Sequence, residues 1–299
     1  MKGEFFLGID AGGTHCRARL VDADGNILGS GRSGPANLTI GIAKAHGSIM
    51  AASASAFRAA KLGRSAMRRT HVGMGIAGAD DPVRSAKIAA RRFAFASVTV
   101  RSDAETACIG AHGTGDGGVL ILGTGSHGII RKGRHLRRVG GWGFLVSDHG
   151  SAAVIGHAAL RQALSAHQGV IAASTLTRRI MRKFGNDPLK MLSWAAQATP
   201  GQWGEFSPLV FACADAGDPV ASRLVADAVA DVAGLLDRMI ELGAKRIALV
   251  GGLADTYASR LPRRLAPVLV PAQRDALAGA IDLARQAAGR RRRARPAGS

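Results

Sequence analysis

Two glycine-bearing turns hold the residues of this chain best suited to chemistry. GIDAGGT at 8–14 and LILGTGSHG at 120–128 each follow a short apolar run and lead into a second strand-like run. Each carries a glycine followed by a hydroxyl residue, Gly13-Thr14 in one and Gly125-Ser126 in the other. A backbone without side chains can approach an anion closely, and consecutive N–H groups with a hydroxyl can grip it. Only the first copy carries an acid, Asp10, whose carboxylate can orient a magnesium ion. Two such hairpins facing each other would hold a phosphate chain from both sides, so the pattern reads as a nucleotide clamp.

Asp103 ends the run SVTVRSD and precedes Ala104-Glu105-Thr106-Ala107. An aspartate ahead of a helical stretch caps it well. The carboxyl end of a strand in an α/β sheet is also where ligands bind, and the two roles are compatible. Asp103 is therefore the candidate general base, whereas Glu105 favours the helix dipole and reads as structural. The segment GGWGFLVSDHGSA at 140–152 is dense in glycine and carries Trp142 and Asp148 just before a helical run. It reads either as a flexible loop plugged by Trp142 and capped by Asp148, or as a binding loop around a polar ring. Asn37, after Gly34-Pro35, would by itself be a turn residue.

Two nucleotide motifs are excluded by context. GTGSHG at 123–128 matches GxGxxG, but that fingerprint needs a helix opening in the loop and an acid about 20 positions on. Here Ile129 to Gly133 reads as strand and turn, and no Asp or Glu appears before Asp148. Nothing in the chain matches GxxxxGK[ST].

The elements that must position these residues come in two similar sets. FFLGID (5–10), HCRARLVD (15–22) and ILGSGR (27–32) read as consecutive strands turning at Gly12-Gly13 and Asp24-Gly25-Asn26. An Ala-rich helix over 38–62, a strand over 70–78, a helix over 82–93 and a strand over 97–103 follow. The second half repeats the opening with strands over 117–123, 126–133 and 136–139, then a helix over 150–166. A long helical region over 171–243 precedes the strand KRIALVGG (245–252), which enters a third glycine turn, and a last helix over 274–288. The pattern predicts an α/β protein of duplicated mixed-sheet topology with a helical insertion in the second copy. Expected domains are 1–107 and 108–289, followed by a basic disordered tail over 290–299.

Composition bounds the remaining classes. A hydrophobic share of 47% over 299 residues supplies a core for two domains. No apolar run approaches the roughly 18 residues of a membrane span. The opening Met1-Lys2-Gly3-Glu4 enters a strand directly, without the pattern of a secretory leader. Cys16, Cys108 and Cys213 are isolated, giving neither a disulfide framework nor metal spacing, so a cytoplasmic location is expected. The net charge of +19 is carried mainly by scattered arginines and by the tail RRRRARPAGS, with a single tyrosine in the whole chain. Without aromatic interleaving, nonspecific polyanion binding is the most this supports; no specific nucleic acid and no membrane partner is expected.

Taken together, GIDAGGT, GTGS, SGPAN (33–37), SDAE (102–105), GGWG-x4-D-x-GS and the late strand ending in Gly-Gly resemble one family. It is the N-acetylglucosamine kinase and glucosamine kinase group of the BadF/BadG/BcrA/BcrD-type ATPases, in the sugar kinase–actin superfamily. The resemblance runs over nearly the whole chain. It implies two actin-like (ribonuclease H-like) domains with a cleft between them, ATP as co-substrate, Mg2+, an amino sugar as substrate and a homodimer. It assigns Asp10, Gly12, Gly13 and Thr14 to the first phosphate loop, with Asp10 near magnesium through water, and Gly123, Thr124, Gly125 and Ser126 to the second. Asn37, Asp103, Gly141, Trp142 and Asp148 would surround the sugar. Gly251, Gly252, Asp275, Ala276 and Gly279 would lie near the adenosine. Asp103 would act as base on the 6-hydroxyl with an ordinary carboxylate pKa near 4, since it needs only to be ionised. One departure stands out: the family reads GDEGSA where this chain has Ser147-Asp148-His149-Gly150-Ser151-Ala152. The resemblance leaves open a glucosamine-specific kinase and, further off, an ATPase activator of a radical dehydratase. The latter needs cluster-holding cysteines that three scattered thiols do not supply.

Overall fold

The computed structural model describes residues 3–133 and 135–294, with side chains described as far as Arg290. The chain divides into two units, Met1–Val119 with Pro271–Ser299, and Leu120–Val270.

The first unit is built on a five-stranded sheet. Strands β1 (Phe5–Ala11), β2 (Cys16–Val21) and β3 (Ile27–Ser33) run antiparallel, and β4 (Thr70–Ile76) and β5 (Ser97–Ser102) add to β1 in parallel. The order across the sheet is β3-β2-β1-β4-β5. Helices cover it: α1 (Ile42–Ala59), α2 (Arg64–Met67), α3 (Pro82–Ala89), α4 (Asp103–His112) and, from the far end of the chain, the helix over Ala276–Ala294. Alternation along the paired strands sets Leu7, Ile9, Val72, Met74 and Ile76 on one face of the sheet, all fully buried, and Gly8, Gly73 and Gly75 on the other. Glycine lets the helices come close. A Cβ at Gly31 would lie 2.1 Å from the Ala52 carbonyl of α1, and one at Gly73 would lie 2.0 Å from the Ala280 carbonyl.

The second unit carries a four-stranded sheet of order β8-β7-β6-β9. Its strands are β6 (Gly117–Leu122), which crosses the division, β7 (Ser126–Lys132), β8 (His135–Gly140) and β9 (Ile247–Val250). Between β8 and β9 lie α5 (Ala152–His167), α6 (Thr175–Lys183), α7 (Pro188–Ala195), α8 (Pro200–Gly204), α9 (Ser207–Asp215) and α10 (Pro219–Glu241). Helix α11 (Ala254–Ala258) follows β9, and Ala276–Ala294 is α12.

Several expected elements are redrawn. The helix expected over 38–62 opens as a 3-10 turn, Leu38–Ile40, and restarts after Gly41, whose φ of 103° no helix accommodates. The helical region over 171–243 is five helices, because Ser174, Asp187, Thr199 and Asp218 each cap a new start and prolines at 188, 200 and 219 occupy first turns. The last helix belongs to the first unit rather than the second, burying Ile281, Ala284 and Ala288 with Phe6 and Val21. It also runs on to Ala294, so the part of the tail from Arg290 to Ala294 is helical rather than disordered; residues 295–299 lie outside the described residues. Among the described residues no helix is long and apolar enough to cross a membrane.

Candidate active site

In the first unit the expected residues gather at the carboxyl ends of β1, β4 and β5. The antiparallel register sets Asp10 opposite Arg17, and the Arg17 guanidinium donates to the Asp10 carboxylate at 2.5 and 3.1 Å. The turn beyond closes by the Gly12 N–H donating to the His15 carbonyl at 3.0 Å, leaving Gly13 and Thr14 exposed. The Ala36 N–H donates to the Gly12 carbonyl at 3.0 Å, which draws the 33–37 segment alongside this loop. Asn37 caps the Leu38–Ile40 turn through its Oδ1, while its Nδ2 lies 3.5 Å from where a Cβ on Gly13 would be. This turn residue therefore sits beside the first glycine-hydroxyl turn.

Asp103 opens α4, but the cap is Ser102, whose hydroxyl accepts from the Glu105 N–H at 3.2 Å. Relieved of capping, the Asp103 carboxylate accepts from its neighbour, the Ala104 N–H, at 2.9 Å. Its pKa is not the ordinary value: burial, then the charges of Asp10 and Asp80, push it up to about 7. Sequence reasoning missed Asp80. The available signal was its place, an acid just past the carboxyl end of β4, next to Asp81, which caps α3.

In the second unit the glycine-hydroxyl turn is held by its neighbours. The first N–H groups of α5, at Ala152 and Ala153, donate to the Gly123 and Thr124 carbonyls at 2.9 and 3.2 Å. The Ser126 hydroxyl donates to the His149 carbonyl at 2.7 Å. Asp148 takes a φ of 61° and points its carboxylate at this loop, where a Cβ on Gly125 would meet Oδ2 at 2.7 Å. Burial pushes the Asp148 carboxyl up, opposed by the Ser126 and Gly143 N–H groups and the Arg138 charge. Asp148, expected at the sugar, thus also lies against the second glycine-hydroxyl turn.

Trp142 is 69% exposed and carries the Arg138 guanidinium 4.1 Å above its ring, so it is no packing plug. Gly141 beside it has a φ of 71° and faces the His127 ring. His149 is exposed, with Nδ1 4.0 Å from an Asp231 carboxylate oxygen. Gly251 takes a φ of 103° against the Leu122 carbonyl, and the Leu253 N–H donates to that same carbonyl at 3.0 Å. The third glycine turn therefore abuts the start of the second glycine-hydroxyl turn, with Gly252 open to solvent.

The remaining expected nucleotide contacts lie in the first unit and have structural work of their own. Asp275 pairs with both terminal nitrogens of Arg19 at 3.0 and 2.7 Å and accepts from the Ala278 N–H at 2.9 Å. Burial raises its pKa, but Arg19 and that N–H outweigh it and hold the group below the usual range. Ala276 begins α12, and Gly279 is buried where a Cβ would lie 2.0 Å from the Thr106 carbonyl of α4.

A model of the BadF/BadG/BcrA/BcrD ATPase family matches residues 7–275. The chain belongs to this family. Family membership makes ATP its co-substrate. The chain is 36% identical over 277 residues to glucosamine kinase GspK of Vibrio cholerae, covering 93% of this chain and 94% of that protein. It is 29% identical to N-acetyl-D-glucosamine kinase of Dictyostelium discoideum, over 81% of each. A solved structure from Chromobacterium violaceum, provisionally assigned as an N-acetylglucosamine kinase, superposes with a TM-score of 0.88 at 31% identity, covering 94% of this chain and 99% of that one. A ROK family glucokinase from Streptomyces griseus shares the fold, with a TM-score of 0.57 at 21% identity over 94% of this chain and 99% of that one. The fold class is the duplicated actin-like α/β fold of these sugar kinases.

Proposed function

We propose that this protein is an ATP-dependent amino-sugar kinase that transfers the γ-phosphoryl group of ATP to the 6-hydroxyl of glucosamine or N-acetylglucosamine. The observation that carries the chemistry is Asp103, a carboxylate at the end of β5 pushed up to about 7 beside Asp10 and Asp80. A base of that strength accepts a hydroxyl proton better than an ordinary aspartate and is about half ionised at neutral pH. The sugar O6 attacks the γ-phosphorus, the bond to the β,γ-bridging oxygen breaks, ADP leaves, and the proton passes to Asp103. Such a transition state is loose, so positioning and charge neutralisation do most of the work. Gly12, Gly13 and Thr14 in the first unit and Gly123 to Ser126 in the second are the phosphate-binding turns. Gly251 and Gly252 serve the rest of the nucleotide.

The carboxylates Asp10, Asp80 and Asp103 are hard oxygen donors, and burial followed by their mutual repulsion raises the pKa of Asp103, a setting that fits Mg2+. Asp10 would hold the ion through water, and the ion would supply charge neutralisation at the phosphates. Asn37, Asp103, Gly141, Trp142 and Asp148 contact the sugar, Trp142 offering an exposed ring face. The identity of 36% to the Vibrio glucosamine kinase, against 29% to the Dictyostelium enzyme, favours the free amino sugar. All three cysteines are buried, which suits a reducing cytoplasm and argues against an iron–sulfur ATPase activator. A homodimer is also proposed, supported by Leu189 and Leu192 exposed one turn apart on α7. The test is ADP release coupled to a panel of sugars, with the product examined for a 6-phosphate.

A further inference from the structure

Tyr257 is the sole tyrosine of the chain and is fully buried. A buried tyrosine hydroxyl needs a partner, and this one donates to the Gly150 carbonyl at 2.5 Å, a residue 107 positions away. The contact is close on every side. Gly150 takes a φ of 68°, and a Cβ there would meet Val232 at 2.4 Å and the Tyr257 hydroxyl at 3.2 Å.

What Gly150 belongs to gives the bond its meaning. The residues around it brace the second phosphate loop: the Asp148 carboxylate faces Gly125, the His149 carbonyl accepts from Ser126, and Ala152 and Ala153 donate to Gly123 and Thr124. Tyr257 itself is tied to the third glycine turn, because its N–H donates to Leu253 and the Leu253 N–H donates to the Leu122 carbonyl, both at 3.0 Å. The single hydroxyl therefore links the segment carrying Gly251 and Gly252 to the segment that holds Gly123 to Ser126.

We propose that Tyr257 is a positioning residue for the nucleotide: by fixing Gly150 it sets the second phosphate loop against the Gly251–Gly252 turn. The proposal rests on reading those two segments as nucleotide-binding. Packing alone does not require the hydroxyl, since the ring meets Phe211 edge-on at 6.0 Å and would do so without it.

The test is Tyr257→Phe, which keeps the ring and leaves the Gly150 carbonyl without its donor. A buried bond lost at a positioned loop should raise KM for ATP by roughly tenfold. KM for the sugar should stay within about twofold, a split that a general loss of stability would not produce. Ser126→Ala removes a second brace of the same loop, so the two substitutions should be non-additive in ATP affinity. A lower Tm with unchanged ATP constants, or strictly additive effects, would reduce Tyr257 to packing. Binding of a non-hydrolysable ATP analogue with magnesium, by calorimetry, separates this inference from the assigned reaction. If wild type binds the analogue but phosphorylates no sugar, the reaction is wrong and the tenfold weakening by Tyr257→Phe still decides the present proposal. If wild type does not bind it, both are overturned.

Discussion

The two glycine-hydroxyl turns look alike in sequence and are held in different ways. The first is exposed at Gly13 and Thr14 and sits among charges: Asp10 paired with Arg17, and Asp103 pushed up by burial and then by Asp10 and Asp80. The second, Gly123 to Ser126, is braced by hydrogen bonds from α5, from Ser126 to the His149 carbonyl, and by the Asp148 carboxylate. One turn lies among ionisable groups; the other is fixed by hydrogen bonds. The two copies of the motif thus differ in surroundings, with charges gathered at one and hydrogen-bonded bracing at the other.

The largest effect should come from the charged half. Asp103→Asn should cut turnover by about 10² or more while both substrates still bind. In wild type, kcat/KM should rise with pH through about 7, as Asp103 loses its proton. The same substitution should stabilise the protein. The folded pKa of Asp103 lies above its unfolded value, so the fold disfavours the ionised form. That cost is complete above pH 7 and fades as pH falls towards 4. Asp103→Asn should therefore raise Tm at pH 8 by about 4 °C or more, with a smaller gain at pH 5. Thermal melts at the two pH values check this, and a lower Tm at pH 8 would contradict the buried, repelled carboxylate.

A pair of alanines separates the two turns next. At Gly125 the new Cβ meets the Asp148 carboxylate at 2.7 Å, whereas at Gly13 the nearest neighbour is Asn37 Nδ2 at an ordinary 3.5 Å. Gly125→Ala should cost about 1–3 kcal/mol of stability along with ATP affinity. Gly13→Ala should stay within about 0.5 kcal/mol of wild type and weaken only ATP binding. Denaturant unfolding with calorimetry reads both, and equal stability losses would erase the distinction between an open and a braced turn.

Much of this was visible in the sequence because it depends on local spacing. Glycine turns after apolar strands located Asp10, Gly13, Gly125 and Ser126, and the duplicated pattern gave the mixed sheets. What stayed hidden depends on contacts distant in the chain. Asp148 reads as a cap or a sugar contact, and its place against Gly125 shows only in the fold. Asp275 and Gly279 carry no mark of their partners Arg19 and Thr106, and the return of α12 to the first sheet cannot be read from its own residues. The raised pKa of Asp103 needs Asp10, Asp80 and burial together, so no local pattern could announce it.

Smaller effects bear on substrate choice and on the tail. His149, the departure from the resembled motif, lies beside Asp231 and one residue from Asp148. His149→Glu should change the ratio of kcat/KM for N-acetylglucosamine over glucosamine by about two- to fivefold. An unaltered ratio would leave His149 with only its backbone role, accepting from Ser126. Deleting residues 290–299 leaves Ala288, which is buried on Phe6 and Val21, in place. Kinase constants should remain within about twofold and salt-sensitive binding to polyanions should fall, as titration at two salt concentrations would show.

The assigned reaction itself is tested most directly by coupled ADP release from MgATP, with glucosamine, with N-acetylglucosamine and without sugar, followed by phosphorus NMR of the product. The account predicts release that depends on one or both amino sugars, a 6-phosphate ester as product, and loss of that signal in Asp103→Asn. ADP release that is equal with and without sugar, or a phosphate on another hydroxyl, would contradict it.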